Sequence, residues 1–387
     1  FRRVLFRSPR EGTKLIVAEC CRNLSTVGAT PVAATNNLNF GNPERPEIMA
    51  QLVESIEGMV EACTHFETPI TGGNVSLYNE TLGEAIWPTP VMGIVGLMPT
   101  AQPVTIPFKN QGRTVMLLGG LGTTDATRFG GTQYAKVILN AMWGLPPALD
   151  MDYEKRVQSA IREIVNHGHA ESAHDVSDGG LAVALAECAY NGIGASIEVP
   201  GGLRPEFALF HEGPSRILIS TNAPEQVEEI ARKYNVEALR IGATMNARLR
   251  IGDGSAVWID SPVDRLKQVW ENALADMCRF AIDRHSPGND QLFHVAARAH
   301  ARFRKNLVQL WRVIIGCQIA PDLLVVARGL AYRRFVVHHL VVSFGSDETE
   351  NRICVACGGT SAGFAMRSEE HTSELQSHLN LVCRLLL

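Results

Sequence analysis

With 387 residues, 45% of them hydrophobic, the chain is long enough for two or three domains and a sizeable core. A formal net charge of −4 excludes nucleic acid or an anionic membrane held by bulk charge, so any phosphate must be held by local geometry. The cysteines (Cys20, Cys21, Cys63, Cys188, Cys278, Cys317, Cys354, Cys357, Cys383) are scattered. With no secretory segment read in the sequence, they point to a reducing, cytoplasmic setting rather than a disulfide framework. Cys354-Val355-Ala356-Cys357 is a lone C-x-x-C without a second ligand pair, so no zinc site is expected there. No apolar run approaches the ~20 residues of a membrane span.

In chain order, residues 1–8 and 367–387 resemble translated sequencing-adapter DNA and are left out of fold reasoning. From Gly12, the residues Leu15, Ile16, Ala18, Glu19 and Leu24 suit a helix that Gly28 can end. Pro31 to Thr35 reads as a strand delivering a polar loop, Thr35 to Pro43. Pro43 and Pro46 mark the start of a helix over 46–65, with Ile48, Met49, Leu52, Ile56, Met59, Val60 and Cys63 as one apolar stripe. Thr68 to Ile70 is a short strand approaching a second polar loop, Thr71 to Asn79. Pro90 to Met98 reads as a buried strand.

After Pro99, Pro103 and Pro107 the composition restarts. Arg113 to Gly119 is a strand entering a glycine turn (Gly119, Gly120, Gly122), which opens a second domain over 110–278, the first covering 9–103. Helices are expected near 132–144, 151–167 and 178–191, and strands at 195–199, 216–220 and 239–243. Ala247 to Ile251 and Ala256 to Asp260 form a hairpin around Gly252-Asp253-Gly254. Ser261-Pro262 caps a final helix to about Met277. The fold class is α+β or α/β. From about 279 to 366 arginine and histidine abound without coherent turn or cap signals; this stretch reads as a frame-shifted or chimeric extension, or else as a small basic nucleic-acid module lacking its usual motifs.

Three constellations can carry chemistry. Asn74 and Ser76 are one strand alternation apart, and with Gly73 they offer an amide, a hydroxyl and close backbone access to a phosphate oxygen or hydrated Mg²⁺; the alternative is an ordinary Asn/Gly turn. His174-Asp175-Val176-Ser177-Asp178-Gly179-Gly180 opens a helix whose N-terminus suits an anion, with Ser177 or Asp178 as cap and both aspartates acting through a bridging cation; the alternative is a capped helix alone. In His211-Glu212-Gly213-Pro214-Ser215-Arg216, Glu212 and Arg216 could grip a phosphosugar or form an exposed ion pair, and His211 has no partner visible in sequence. No Walker loop or Gly-x-Ser-x-Gly elbow occurs.

At Leu38 to Glu44, Gly73 to Glu80, Pro88 to Val91 and His174 to Leu181 the chain resembles the synthetase-subunit family of phosphoribosylformylglycinamidine synthase, over roughly residues 10–278. The resemblance implies a partial PurM-like N-terminal sheet domain followed by a PurM-like C-terminal α/β domain, from the later of two fused copies of the aminoimidazole-ribonucleotide-synthetase fold. It implies an ATP- and Mg²⁺-dependent ligase of purine biosynthesis. That ligase converts formylglycinamide ribonucleotide, through an iminophosphate, with ammonia delivered from glutamine by an amidotransferase subunit and with a small accessory subunit in the assembly. By position, Gly73 and Asn36 resemble ATP contacts, Asn36 standing where many members carry aspartate. Asn74 resembles a Mg²⁺ ligand and Ser76 a substrate contact. His174, Asp175, Ser177, Asp178, Gly179, Gly180, Glu212, Ser215 and Arg216 resemble an auxiliary nucleotide pocket. The family's Ser-His-Asn-His stretch, which carries its catalytic histidine, does not occur, so the chain by itself is expected to be inactive. The alternatives are a non-catalytic half holding a structural ADP, and another ATP-dependent enzyme of the same superfold.

Overall fold

The computed structural model describes residues 8–99, 103–282, 340–343 and 352–358. The readings of residues 367–387, and most of those on 1–8 and 279–366, lie outside the described residues. Helix α1 (Pro9–Thr26) begins on proline, whose missing N–H and fixed φ suit a first turn, and Gly28 leaves it at φ +82°. Strand β1 (Thr30–Asn39), helix α2 (Pro46–His65) and strand β2 (Ile70–Ser76) then form a crossover. The helical connection makes β1 and β2 parallel neighbours. A small ribbon, β3 (Glu80–Thr81) and β4 (Glu84–Ala85), precedes β5 (Thr89–Met98), which pairs antiparallel with the other edge of β1.

Two expectations are corrected in this domain. The Asn- and Gly-rich stretches expected as loops are strand: β1 runs on through Asn39, and β2 runs through Gly72 and Gly73. Their ladders to each other and to β5 satisfy the backbone, and this outweighs the low strand propensity of Asn and Gly. The apolar stripe of α2 is also split. Ile48, Met59 and Cys63 are buried, with Ser55, Gly58 and Ala62 beside them, whereas Met49, Val53, Ile56 and Val60 are exposed. The cause is close packing on α1: a Cβ on Gly58 would stand 2.2 Å from the carbonyl oxygen of Arg10, so small residues make the seam and turn the larger ones outward.

The second domain follows β6 (Thr114–Leu118), short α3 (Ala126–Phe129) and α4 (Gln133–Val137), α5 (Met151–Asn166), β7 (Ser172–Asp175), α6 (Gly180–Ala189), β8 (Ile193–Glu198), α7 (Pro205–Phe210), β9 (Ile217–Thr221), α8 (Pro224–Lys233), β10 (Ala238–Asn246), β11 (Arg248–Gly252), β12 (Val257–Pro262) and α9 (Val263–Ile282). The helix expected over 132–144 stops at Val137, because Asn140 takes a left-handed φ of +47° and the chain leaves the helix there. The 248–262 hairpin forms as expected. Ser261 and Pro262, however, finish β12 and do not cap α9.

The strands of this domain lie in the order β12-β11-β8-β10-β6-β9-β7. Successive strand residues face opposite sides, so Val115 and Leu117 join Leu181, Leu185 and Phe210 in one core. Met116 and Leu118 join Val157, Ile161 and Val227 in another. The sheet is thus covered on both faces, which places its chemistry at its edges. Because β9 runs antiparallel to both β6 and β7, the ends of β6 and β7 and the start of β9 meet at one edge, with Leu118 and Asp175 both opposite Ile217. Two late strands, β13 (Leu340–Ser343) and β14 (Arg352–Gly358), extend the first sheet to the order β13-β14-β5-β1-β2; Cys354 and Cys357 lie on β14. No helix among the described residues is long and apolar enough to cross a membrane.

Candidate functional site

The β1–β2 ladder sets the first constellation in register: Asn36 opposite Gly73, Asn37 opposite Asn74, Asn39 opposite Ser76. Alternation places these on two faces. Asn36 follows buried Ala34 and precedes buried Leu38, and its Nδ2 reaches Sδ of Met59 on α2 at 3.2 Å. Asn74 and Ser76 share the other face with Asn37 and Asn39. There Nδ2 of Asn74 donates to Oδ1 of Asn37 at 3.1 Å, which leaves the Asn74 carbonyl oxygen for a hard cation. Ser76 Oγ lies 3.1 Å from Nδ2 of Asn79, whose amide also donates to the carbonyl oxygens of Ser76 and Phe40 and so fixes the turn after β2. Asn37, only 9% exposed, is a member that sequence reasoning missed, because its role depends on a partner 37 residues away.

The second constellation is assembled at the edge where β6, β7 and β9 meet. Neither Ser177 nor Asp178 caps α6; Gly179 takes that place at φ +80° with no side-chain cap. Its N–H instead donates to Oε1 of Glu212 at 2.8 Å, and the same oxygen accepts from the N–H of Gln133 at 2.8 Å. A carboxylate from the β9 approach therefore occupies the helix terminus expected to hold an anion. Burial and the nearby Asp178 push the Glu212 carboxyl upward from its usual range.

Glu212 and Arg216 do not form the exposed ion pair, because Arg216 is buried. Arg216, only 1% exposed, donates to the carbonyl oxygens of Gly213, Leu121 and His211. Burial, with Arg22 nearby, lowers its affinity for a proton, to a pKa of about 10. His211 has the partner that sequence could not show: its Nδ1 accepts from the N–H of Gly213 at 2.8 Å. Burial, reinforced by Arg216, holds its pKa down to about 4, so it is a neutral ring with a structural bond. His174, also buried, contacts Glu187 at 2.7 Å and Asp175 at 3.4 Å; burial opposes its protonation, and the two carboxylates overcome this to raise it to about 10.

Residues from the first domain complete this edge, and sequence analysis missed them. Arg22 on α1 bridges the domains, with Nη1 2.9 Å from Glu154 Oε1 and Nη2 3.6 Å from Asp175 Oδ2. Glu154 is wholly buried and also accepts from Ser215 Oγ at 2.5 Å and Gln158 Nε2 at 2.9 Å. Ser215 itself takes a left-handed φ of +63°. One turn earlier on α1, Glu19 has a buried Oε2 without a hydrogen-bond partner, and burial followed by repulsion from Asp175 raises its carboxyl. Among the described residues no group of three or more His, Cys, Asp or Glu side chains is placed to hold a metal ion by itself, so a cation here would need further oxygen ligands from a bound phosphate.

Two models of one family match the chain: the AIR synthase related protein N-terminal domain over residues 1–98 and its C-terminal domain over residues 110–252. Phosphoribosylformylglycinamidine synthase subunit PurL of Moorella thermoacetica is 41% identical over 276 residues, covering 70% of this chain and 37% of that protein. The subunit of the same name from Synechococcus elongatus is 42% identical over 288 residues, again covering 70% and 37%. Among solved structures, Thermotoga maritima PurL complexed with FGAR has a TM-score of 0.56 at 21% identity, covering 67% of this chain and 43% of that one. The same protein complexed with ATP has a TM-score of 0.54 at 20% identity, covering 68% and 42%. The structural likeness supports the fold, and the chain spans about 37% of the length of the curated relatives it matches. The two adjoining domains and the sequence identity place the chain in the AIR synthase related family, in its PurL branch.

Proposed function

We propose that this chain supplies one wall of the ATP site of a C–N ligase that converts formylglycinamide ribonucleotide to formylglycinamidine ribonucleotide with ammonia. The observation that carries this reading is the β1–β2 register, which lays Asn37, Asn39, Asn74 and Ser76 on one face and closes Gly73 against Asn36. In this reading Gly73 and Asn36 border ATP, Asn74 turns its carbonyl oxygen to Mg²⁺, and the Ser76 hydroxyl orients the substrate. Mg²⁺, when bound, offsets phosphate charge. The chain's own residues position and hydrogen-bond; none of them is assigned as acid, base or nucleophile. Relatives include T. maritima PurL structures with ATP, ADP and FGAR and an assembly titled PurLQS. By likeness, the partners of this chain are an amidotransferase subunit and a small accessory subunit, in a cytoplasmic setting.

The sequence contains no Ser-His-Asn-His stretch, so the chain alone turns over no substrate, since groups that act as a unit lose nearly all activity when one is missing. The test is complementation. Purified chain with ATP, Mg²⁺, formylglycinamide ribonucleotide and ammonia should form no amidine, and adding the rest of a PurL relative as a separate chain should restore it. Asn74→Ala and Ser76→Ala should then lower the restored rate by about a hundredfold. Turnover by the chain alone, or indifference to both substitutions, refutes the reading.

A second role is favoured by a separate observation, the buried, unpartnered Oε2 of Glu19, whose carboxyl is raised by burial and by the charges of Asp175 and Asp178. Here the edge of β6, β7 and β9 is an auxiliary pocket for ADP, with Glu19 and Asp175 holding its cation and His174, Ser177, Asp178, Gly179, Gly180, Glu212, Ser215 and Arg216 lining or bracing it.

A further inference from the structure

We propose that the glycine turn leaving β6 is the phosphate cradle of that pocket, formed by the N–H groups of Gly120, Leu121 and Gly122 with the Arg216 guanidinium behind them. The proposal rests on the auxiliary-pocket reading and names the atoms that hold the ligand's phosphate. The backbone is shaped for it. Gly119, Gly120 and Gly122 have φ of +88°, +83° and +94°, a region open to glycine at little cost, and such turns aim successive N–H groups into one concavity. The Gly119 N–H is taken by the carbonyl oxygen of Glu237, whereas those of Gly120, Leu121 and Gly122 have no acceptor among the described residues.

Arg216 supplies the charge. No ion pair joins it to a carboxylate among the described residues, although it is 1% exposed. Glu212 lends it nearby negative charge without an ion pair, and an anion reaching the guanidinium would offset its burial further. Three of its five N–H donors go to carbonyl oxygens, and two remain. It is reachable through the turn: a Cβ on Gly122 would lie 3.6 Å from its Nη1 and 3.5 Å from Nδ1 of His211. His211, 2% exposed, packs its Nδ1 edge against the turn. Since its Nδ1 accepts from Gly213, its Nε2 carries the proton, and that buried atom has no partner. Two acids border the turn. Asp125 already accepts from the N–H and hydroxyl of Thr127, and Glu237 lies along Gly120, so the anion seats toward Gly122.

The ligand class is a phosphate group, from either a nucleoside diphosphate or a sugar phosphate. The test follows backbone amide resonances of ¹⁵N-labelled chain titrated with inorganic phosphate, ADP with Mg²⁺, and ribose 5-phosphate. Inorganic phosphate should move the Gly120 and Gly122 resonances saturably at about 1–10 mM. Whichever organic ligand moves them at lower concentration identifies the source. Gly122→Asp should weaken phosphate at least about tenfold relative to Gly122→Asn, which shares its size and backbone strain but not its charge. Resonances that stay fixed in inorganic phosphate, or equal affinity of the Asp and Asn variants, overturn the cradle. If ADP with Mg²⁺ stabilises the chain while these amides stay fixed, the auxiliary pocket stands and the cradle falls. If phosphate moves them and ADP does not bind, the cradle stands as an anion site and the nucleotide reading falls.

Discussion

A Cβ on Gly73 would stand 2.1 Å from Oδ1 of Asn36, its partner across the β1–β2 ladder. The glycine is therefore required by its neighbour as much as by any ligand, and each residue sets the size limit of the other.

Gly73→Ala should destabilise the chain by about 1–3 kcal/mol, since the added methyl must displace the Asn36 amide. Asn36→Ala clears that space, so the double variant should recover part of the loss. Urea unfolding of the four proteins measures the coupling; additive losses would show that Asn36 is not what excludes a side chain at Gly73.

Arg22 and Glu154 should be far more costly to lose singly than together. Arg22→Met leaves a buried carboxylate facing Ser215 and Gln158, and should cost about 3–5 kcal/mol. Arg22→Met with Glu154→Gln removes both charges and should return at least about half of that stability in a thermal or urea measurement.

His211 predicts an acid limb. Its folded pKa of about 4 lies below the ordinary value of 6.5, so the unfolded chain binds more protons between these values. Its contribution is fully present above about pH 6.5 and is lost as pH falls toward 4, amounting to about 3 kcal/mol at most. His211→Gln keeps an acceptor and removes the titration. Urea midpoints from pH 4 to 7.5 should flatten in that variant relative to the unaltered chain.

Glu19→Gln should raise the melting temperature of the chain free of nucleotide, because it relieves repulsion with Asp175 and the burial of charge. The same change should abolish most of any stabilisation by ADP with Mg²⁺. Unchanged stabilisation by that pair would remove Glu19 from the cation site.

How much of this was legible depends on the range of the interaction responsible. Pro46 and the apolar spacing located α2, the Gly252-Asp253-Gly254 turn located its hairpin, and the continuous apolar run from Val115 to Leu118 located β6. The Asn-rich half of β1 did not read as strand, since Asn carries no local preference for it and parallel pairing with β2 decides. The direction of the α2 stripe was hidden for a similar reason: Gly58 matters only because the Arg10 carbonyl is beside it. Asn74, Ser76, Asp175 and Asp178 stood out as chemical groups. Glu19, Arg22 and Glu154 did not, because helical periodicity places them without saying that a partner 132 residues along the chain will meet them.

The bridge from Arg22 to Glu154 and Asp175 also bears on how the chain can be divided. The proline-rich stretch near residues 99–110 looks like a natural place to cut, and the two domains have separate apolar cores. Yet severing them would open Glu154 and Asp175 to water on one piece and strand a guanidinium on the other. The covalent seam and the electrostatic seam do not coincide. A stable half-molecule would need Arg22 and Glu154 replaced by neutral groups before the linker is cut.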